Sequence, residues 1–301
     1  MYARADRGNK GWRRCSLAAV HVDLDGARDI YQAHGWLYPY GDDHLFESGA
    51  RNILALLVRN RIRATLFVIA SSLDDPRKLE IIREASRQGH EIASHSLTHP
   101  ILPYLDFEQK RREIAESREK LENVLGVTVR GFRAPGCQID RECMELLAEF
   151  GYEYDASVFP TDKVARRLCV PVATLTALHR PVVGSSFLEL PLPDHRPSPF
   201  PVHPSYSLLF GMPYFRWGLR RSRVGRAPFV LLFHLTDVAD PLPRERLKHW
   251  RQRVYTLSIW RAEQKLRRCQ KMLNLVQRRY QIVPTQTMLE DLSEPQEVTV
   301  A

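Results

Sequence analysis

Four short stretches carry residues whose types and spacing suit chemistry. In HSLTH, His95 and His99 stand four apart. On a helical turn that spacing puts both imidazoles on one face, which makes either a metal clamp or two unrelated polar side chains. Asp23-Leu24-Asp25-Gly26 closes an apolar run, LAAVHV. Strand residues two apart point the same way, so both carboxylates face one mouth. The bland reading is a solvated Asp-Gly turn. Against it, two same-facing acids at the end of an apolar strand are costly to bury without a cation or donors. Two neutral imidazoles and one carboxylate form a three-ligand set suited to Zn²⁺, Co²⁺ or Fe²⁺, with positions left for water and substrate. Arg133, in Gly-Phe-Arg-Ala-Pro-Gly-Cys137, offers a planar fork to a carboxylate or is a surface residue before a turn. His234, after FVLLF, is either a core histidine or an acid-base group at a strand end.

The elements that must position these residues alternate. LAAVHVDLD (17–25), RATLFVIA (63–70), HEIAS (90–94), VTVRGFRAP (127–135) and APFVLLFHL (227–235) read as strands. Between them FESGARNILALLVRN (46–60), DPRKLEIIREASRQG (75–89) and DRECMELLAEFG (140–151) read as helices. In the helix over 106–126, Asp106 and Gln109 have capping-box spacing, Phe107, Ile114, Leu121 and Leu125 form the stripe, and Gly126 supplies the stop. Such alternation implies βαβ units, a parallel sheet and right-handed crossovers. One domain over 1–301 is expected, with an α/β core at about 16–285, a proline-rich irregular insertion at about 161–227 and a frayed acidic tail at 286–301. A distorted (β/α) barrel is the architecture that fits, with functional side chains at the C-terminal strand ends.

The 301 residues hold 44 Lys and Arg against 35 Asp and Glu, and from Arg216 to Arg279 there are 17 basic residues and four acidic ones. Such a surface suits nucleic acid, anionic lipid or acidic glycan, or is a solvated helix face. The five cysteines are odd in number, scattered and without a CxxC pair, which suggests reduced thiols in a cytosolic setting. The basic N-terminus, MYARADRGNKGWRR, is followed by an apolar stretch too short for a signal peptide, and no apolar run reaches the about 20 residues of a membrane span. A cytoplasmic protein, with room for membrane association, is expected.

The ordered series Asp-x-Asp-Gly, His-x-x-x-His, Arg-x-Pro and Leu-x-His resembles the polysaccharide deacetylase family, the NodB-homology group of metal-dependent carbohydrate deacetylases. The resemblance covers roughly 16–160 and resumes at 228–285. It implies a distorted α/β barrel holding one divalent metal, zinc first and cobalt or iron as alternatives, through one Asp and two His. By position, Asp25, His95 and His99 match the ligands, Asp23 the catalytic base, His234 the acid and Arg133 the residue that orients the base. Asp155, in YDASVFP, matches an Asp-containing segment common at this point. Leu24 separates aspartates that are usually adjacent, so Asp23 and Asp25 are open to an exchange of roles. Cys137 replaces the usual Tyr of the Arg-x-Pro motif; the change is harmless if only its backbone N–H serves as an oxyanion donor. Nothing in the sequence supplies a helper base for Cys137 as a nucleophile. The usual Asp-aromatic motif before the final strand is missing, and Glu189, in FLELPLP, stands in that region.

The activity so implied is hydrolysis of an N-linked acyl group from a carbohydrate, including a lipid-linked or cell-surface precursor. Trp36, Tyr38 and their neighbours in ARDIYQAHGWLYPYGDD form either a sugar-binding surface or a packed loop. HPSYSLLFGMPYFRWGLRRSR joins aromatics to a basic run that suits an anionic membrane surface. A deformylase or small-amide hydrolase on the same fold, an inactive glycan-binding module and a nucleic-acid binder are the competing classes. The near-complete acid, base and ligand set argues against the inactive module, and tight, steeply salt-dependent binding would mark the nucleic-acid binder.

Overall fold

In β1 the alternation of LAAVHVD divides the residues between two environments. Ala18, Val20 and Val22 pack outward among the helices, while Leu17 and Ala19 join a second apolar cluster with Phe67, Ala93, Leu190, Val230 and Leu232. His21 and Asp23 continue that second face toward the strand's C-terminal end, and both are buried. Parallel sheets covered on both faces favour such β-branched and apolar runs.

The computed structural model describes residues 17–222 and 228–293. Its strands are β1 (Leu17–Asp23), β2 (Thr65–Val68), β3 (Glu91–Ser94), β4 (Gly131–Phe132), β5 (Tyr154–Asp155), β6 (Leu188–Glu189), β7 (Phe229–His234) and β8 (Gln281–Ile282). Its α-helices are α1 (Ala27–Ala33), α2 (His44–Arg59), α3 (Pro76–Arg87), α4 (Phe107–Leu125), α5 (Arg141–Glu149), α6 (Asp162–Leu168), α7 (Pro204–Phe210), α8 (Met212–Arg221), α9 (Trp250–Tyr255), α10 (Ala262–Gln277) and α11 (Thr285–Ser293). The sheet runs β6-β5-β4-β3-β2-β1-β7, every named pair is parallel, and β8 adds to β1. No pairing joins β6 to β7 among the described residues. The result is a curled, open half-barrel, the distorted (β/α) barrel expected from the alternation.

The helix over 106–126 has the expected limits: Asp106 and Gln109 form the capping box and Gly126 ends it at φ +67°. Elsewhere the structure departs from the expected elements. The strand anticipated over 127–135 contributes only Gly131 and Phe132 to the sheet, because Ala134 turns away to bond Ser157. The stretch 161–227 is more regular than its prolines suggest: it holds α6, β6, α7 and α8, and β6 is the sheet's edge strand. Part of the expected tail is α11, whose Met288 and Leu289 are buried in the inner cluster. The basic N-terminal stretch, Cys15, Arg223, Arg226 and residues 294–301 lie outside the described residues.

Candidate functional site

The C-terminal ends of β1, β3, β4 and β7 converge. Asp25 Oδ1 lies 3.3 Å from His95 Nε2 and 3.6 Å from His99 Nε2. Ligand atoms of the three residues all fall within 4.8 Å of one another. His95 and His99 do not share a helical turn; they follow β3 in a loop where Ser96 and His99 take left-handed φ of 67° and 66°. Such backbone is costly for residues with a Cβ and persists where surroundings enforce it. Ser94 Oγ accepts the Ser96 N–H at 3.2 Å, Ser96 Oγ accepts the His99 N–H at 3.0 Å, and Glu113 of α4 braces the residues between. Its carboxylate accepts the N–H groups of Leu97 and Thr98, both at 2.9 Å, and the Thr98 hydroxyl at 2.6 Å.

The trio has the features of a metal site. His95 Nδ1 donates to the Arg133 carbonyl at 2.7 Å, which aims Nε2 at Asp25 and leaves that nitrogen as the ligand atom once its proton is lost. Buried Asp25 Oδ1 and both nitrogens of His99 have no hydrogen-bond partner, a costly arrangement that a cation would relieve. Burial opposes a charge on Asp25, but the His99 and His95 rings outweigh it and hold the carboxyl well below its usual range. Burial pushes His99 down to about 4, while His95 rises to about 9 because Asp25 and Asp23 overcome the same desolvation. The nitrogen-rich donor set fits a first-row divalent ion.

Beside it Asp23 and His234 face each other. Arg133, with no exposed surface, places one guanidinium nitrogen 2.8 Å from Asp23 Oδ1 and another 2.7 Å from His21 Nδ1. Its Nε donates to the Ala156 carbonyl at 2.8 Å, and the group lies over the Phe67 ring at 4.1 Å. Each guanidinium nitrogen is thereby given a partner, which a buried charge needs. Asp23 Oδ2 is left facing His234 Nε2 at 3.7 Å. His21 extends the chain of contacts through Thr285 and Thr65, at 2.9 and 2.6 Å, and burial followed by Arg133 holds its pKa well below the usual value.

The remaining expected residues separate. Asp155 accepts from the backbone and hydroxyl of Ser157, and Ser157 Oγ accepts from Ala134 N at 2.7 Å, so this carboxyl props the Arg133 loop. Glu189, on β6, accepts from Val158 N; burial and the Asp155 charge push it well up. The Cys137 N–H already donates to the Ala134 carbonyl at 2.9 Å, which removes it as the expected oxyanion donor. Burial pushes the Cys137 thiol far up, so no thiolate nucleophile forms near neutrality. Trp36 packs against Tyr31, His34 and Tyr255, and Tyr38 against Tyr31, Tyr40 and Arg246, the arrangement of a packed loop. A groove of about 690 Å³ is lined by Arg28, Asp29, Asp42, Ser71, Asp75 and Arg77 among others, and none of the residues above lines it.

Sequence reasoning missed His21, Glu113, Ser205 and Asp237. His21 had a signal, since strand alternation groups it with Asp23 and Asp25. The others depend on tertiary contacts.

Fold and site together define an open α/β half-barrel with a two-histidine, one-carboxylate candidate metal site at its strand ends. The family model for polysaccharide deacetylase matches residues 34–154. That segment includes His95, His99 and Arg133, while Asp23, Asp25 and His234 lie outside it. A chitooligosaccharide deacetylase from Rhizobium leguminosarum bv. trifolii is 36% identical over 109 residues, covering 36% of this chain and 47% of that relative. The chain thus spans less than half the length of this relative in the match. A solved Mycobacterium smegmatis structure assigned to the polysaccharide deacetylases superposes with TM-score 0.62 at 21% identity, covering 96% of this chain and 93% of the other. The Puue allantoinase structure gives TM-score 0.60 at 16% identity, with 97% of each chain covered. Over residues 34–154 this chain is thus similar to the polysaccharide deacetylases, and over nearly its whole length it shares their fold.

Proposed function

We propose that the chain is a metal-dependent hydrolase that removes an N-linked acetyl group from a carbohydrate, with zinc as the expected ion. The observation that carries this reading is the placement of Asp25, His95 and His99 around one point, next to an Asp23 that Arg133 holds facing His234. The curated relatives named as chitooligosaccharide deacetylases support an acetylated saccharide as substrate.

A bound divalent ion supplies polarisation of the amide carbonyl and a more acidic water. The chain's own residues supply the proton movements. Asp23 Oδ2, with Oδ1 fixed by Arg133, is placed to take the proton of an attacking water. His234 Nε2 is placed to give a proton to the departing amine, without which the C–N bond breaks poorly. Arg133 keeps both halves in register because its fork holds the base and its carbonyl holds a ligand histidine.

Cytoplasmic placement and contact with a membrane surface remain parts of this proposal. The second draws support from exposed Phe200, Leu209 and Phe210 near the exposed Arg216, Arg220 and Arg221 of α8. The treatment of 1–301 as one catalytic unit is likewise part of this proposal. The deciding experiment incubates zinc-reconstituted protein with N-acetylglucosamine oligomers, acetylated lipid-linked saccharides and small cyclic amides, with His95→Ala as the blank. Acetate from a saccharide by the wild type alone supports the proposal. Product only from a cyclic amide replaces it with small-amide hydrolysis, and saccharide binding without product makes the chain a glycan-binding module.

A further inference from the structure

The His234 ring is held on the side away from Asp23 as well. Its Nδ1 lies 3.3 Å from Ser205 Oγ, on α7. Its own backbone N–H donates to Asp237 Oδ2 at 2.8 Å, in the turn that follows β7. Asp237 has no exposed surface, and its Oδ1 is buried without an aligned donor. α7, which carries Ser205, packs against the turn that holds Asp237, and burial pushes that carboxyl up against the opposing pull of His234 and the Ser205 hydroxyl. Nearby, Lys265 of α10 donates to the Thr236 carbonyl at 2.8 Å and Cys269 faces the Asp237 carbonyl at 3.4 Å, so the turn is held from behind.

We propose that Asp237, acting through the Ser205 hydroxyl, is the positioning residue for His234. A serine hydroxyl accepts and donates at once. It takes the Nδ1–H of the imidazole and turns its own proton toward Asp237 Oδ1, the oxygen otherwise left without a partner. This order fixes the ring with Nδ1 protonated and Nε2 directed at Asp23 Oδ2, 3.7 Å away. An orienting group on the far nitrogen of a working histidine is the usual way to select its tautomer. The proline-rich segment 198–204 before α7 therefore has a task in the site: it delivers Ser205 to the end of β7. The inference rests on the acid role given to His234 above.

Long-range proton–nitrogen NMR of the His234 ring tests it without activity, comparing wild type with Ser205→Ala, Ser205→Thr and Asp237→Asn. The expected result is an Nδ1–H ring in the wild type and in Ser205→Thr, and mixed tautomers in the other two. Unchanged tautomers in folded Ser205→Ala overturn the proposal. The kinetic arm uses zinc-loaded protein on an N-acetylglucosamine oligomer and on 4-nitrophenyl acetate, whose leaving group needs no proton. Ser205→Ala is expected to lower kcat on the oligomer about 10- to 100-fold with KM little changed, and to affect the aryl ester by less than about 3-fold. Equal losses on both substrates overturn the proposal. A wild type inactive on both substrates defeats the functional reading, and the tautomer measurement then still decides the inference.

Discussion

The carbonyl oxygen of Arg133 accepts the Nδ1–H of His95 at 2.7 Å, while the guanidinium of the same residue holds Asp23 at 2.8 Å. One residue thus links a proposed metal ligand to the proposed base. Its side chain is fully buried, so neither link exchanges with water.

Arg133→Met is therefore expected to cost stability as well as activity. Removing one partner of a buried pair leaves Asp23 uncompensated, a loss of roughly 3–5 kcal/mol. Denaturant unfolding measures it, and Asp23→Asn combined with Arg133→Met should recover part of the loss. A single variant as stable as the wild type contradicts the buried pairing.

Metal uptake is expected to release a proton. In the metal-free protein His95, pushed up to about 9 by Asp25 and Asp23 against its burial, carries a charge at neutral pH. A ligand imidazole must be neutral. Zinc affinity should therefore rise about tenfold per pH unit from 7 toward 9 and level off above. The same raised value adds stability to the metal-free fold below the ordinary histidine pKa, and that stability is lost as pH rises through about 9. Calorimetry in buffers of different ionisation heat counts the released proton. Uptake without proton release at pH 7 contradicts this assignment.

Glu113 contacts no ligand atom, yet it accepts three hydrogen bonds from the loop between the two histidines. Glu113→Ala should lower zinc affinity about 10- to 100-fold, as loss of supporting contacts around metal ligands typically does. Competition with a chromogenic chelator reads this directly. Affinity equal to wild type would show that the loop holds its left-handed residues unaided.

Cys137 replaces a tyrosine expected from the family pattern, and its N–H is already paired. Cys137→Ala should retain activity within about threefold, since neither a thiolate nor that donor is in use. Alkylation at pH 8 followed by mass spectrometry should label exposed Cys169 and spare Cys137. Rapid labelling of Cys137 with loss of activity would reverse this conclusion.

The sequence by itself determined the alternating α/β plan, the limits of α4, and the residue types at four strand ends. These follow from local rules: apolar periodicity, capping at Asp106 and Gly126, and the same-side alternation of Asp23 with its neighbours. It did not reveal that His95 and His99 meet in a strained loop, since i,i+4 spacing has the same appearance on a helix. Nor did it show α11 closing the inner core, because the cluster that Met288 and Leu289 join is drawn from residues as distant in the chain as Leu17 and Phe67. Only the tertiary structure joined Arg133 to Asp23 and His21, Glu113 to the histidine loop, and Ser205 to His234. Each of these is a polar contact across tens to more than a hundred residues, and side chains of this kind acquire a partner only after the sheet has set the strand order.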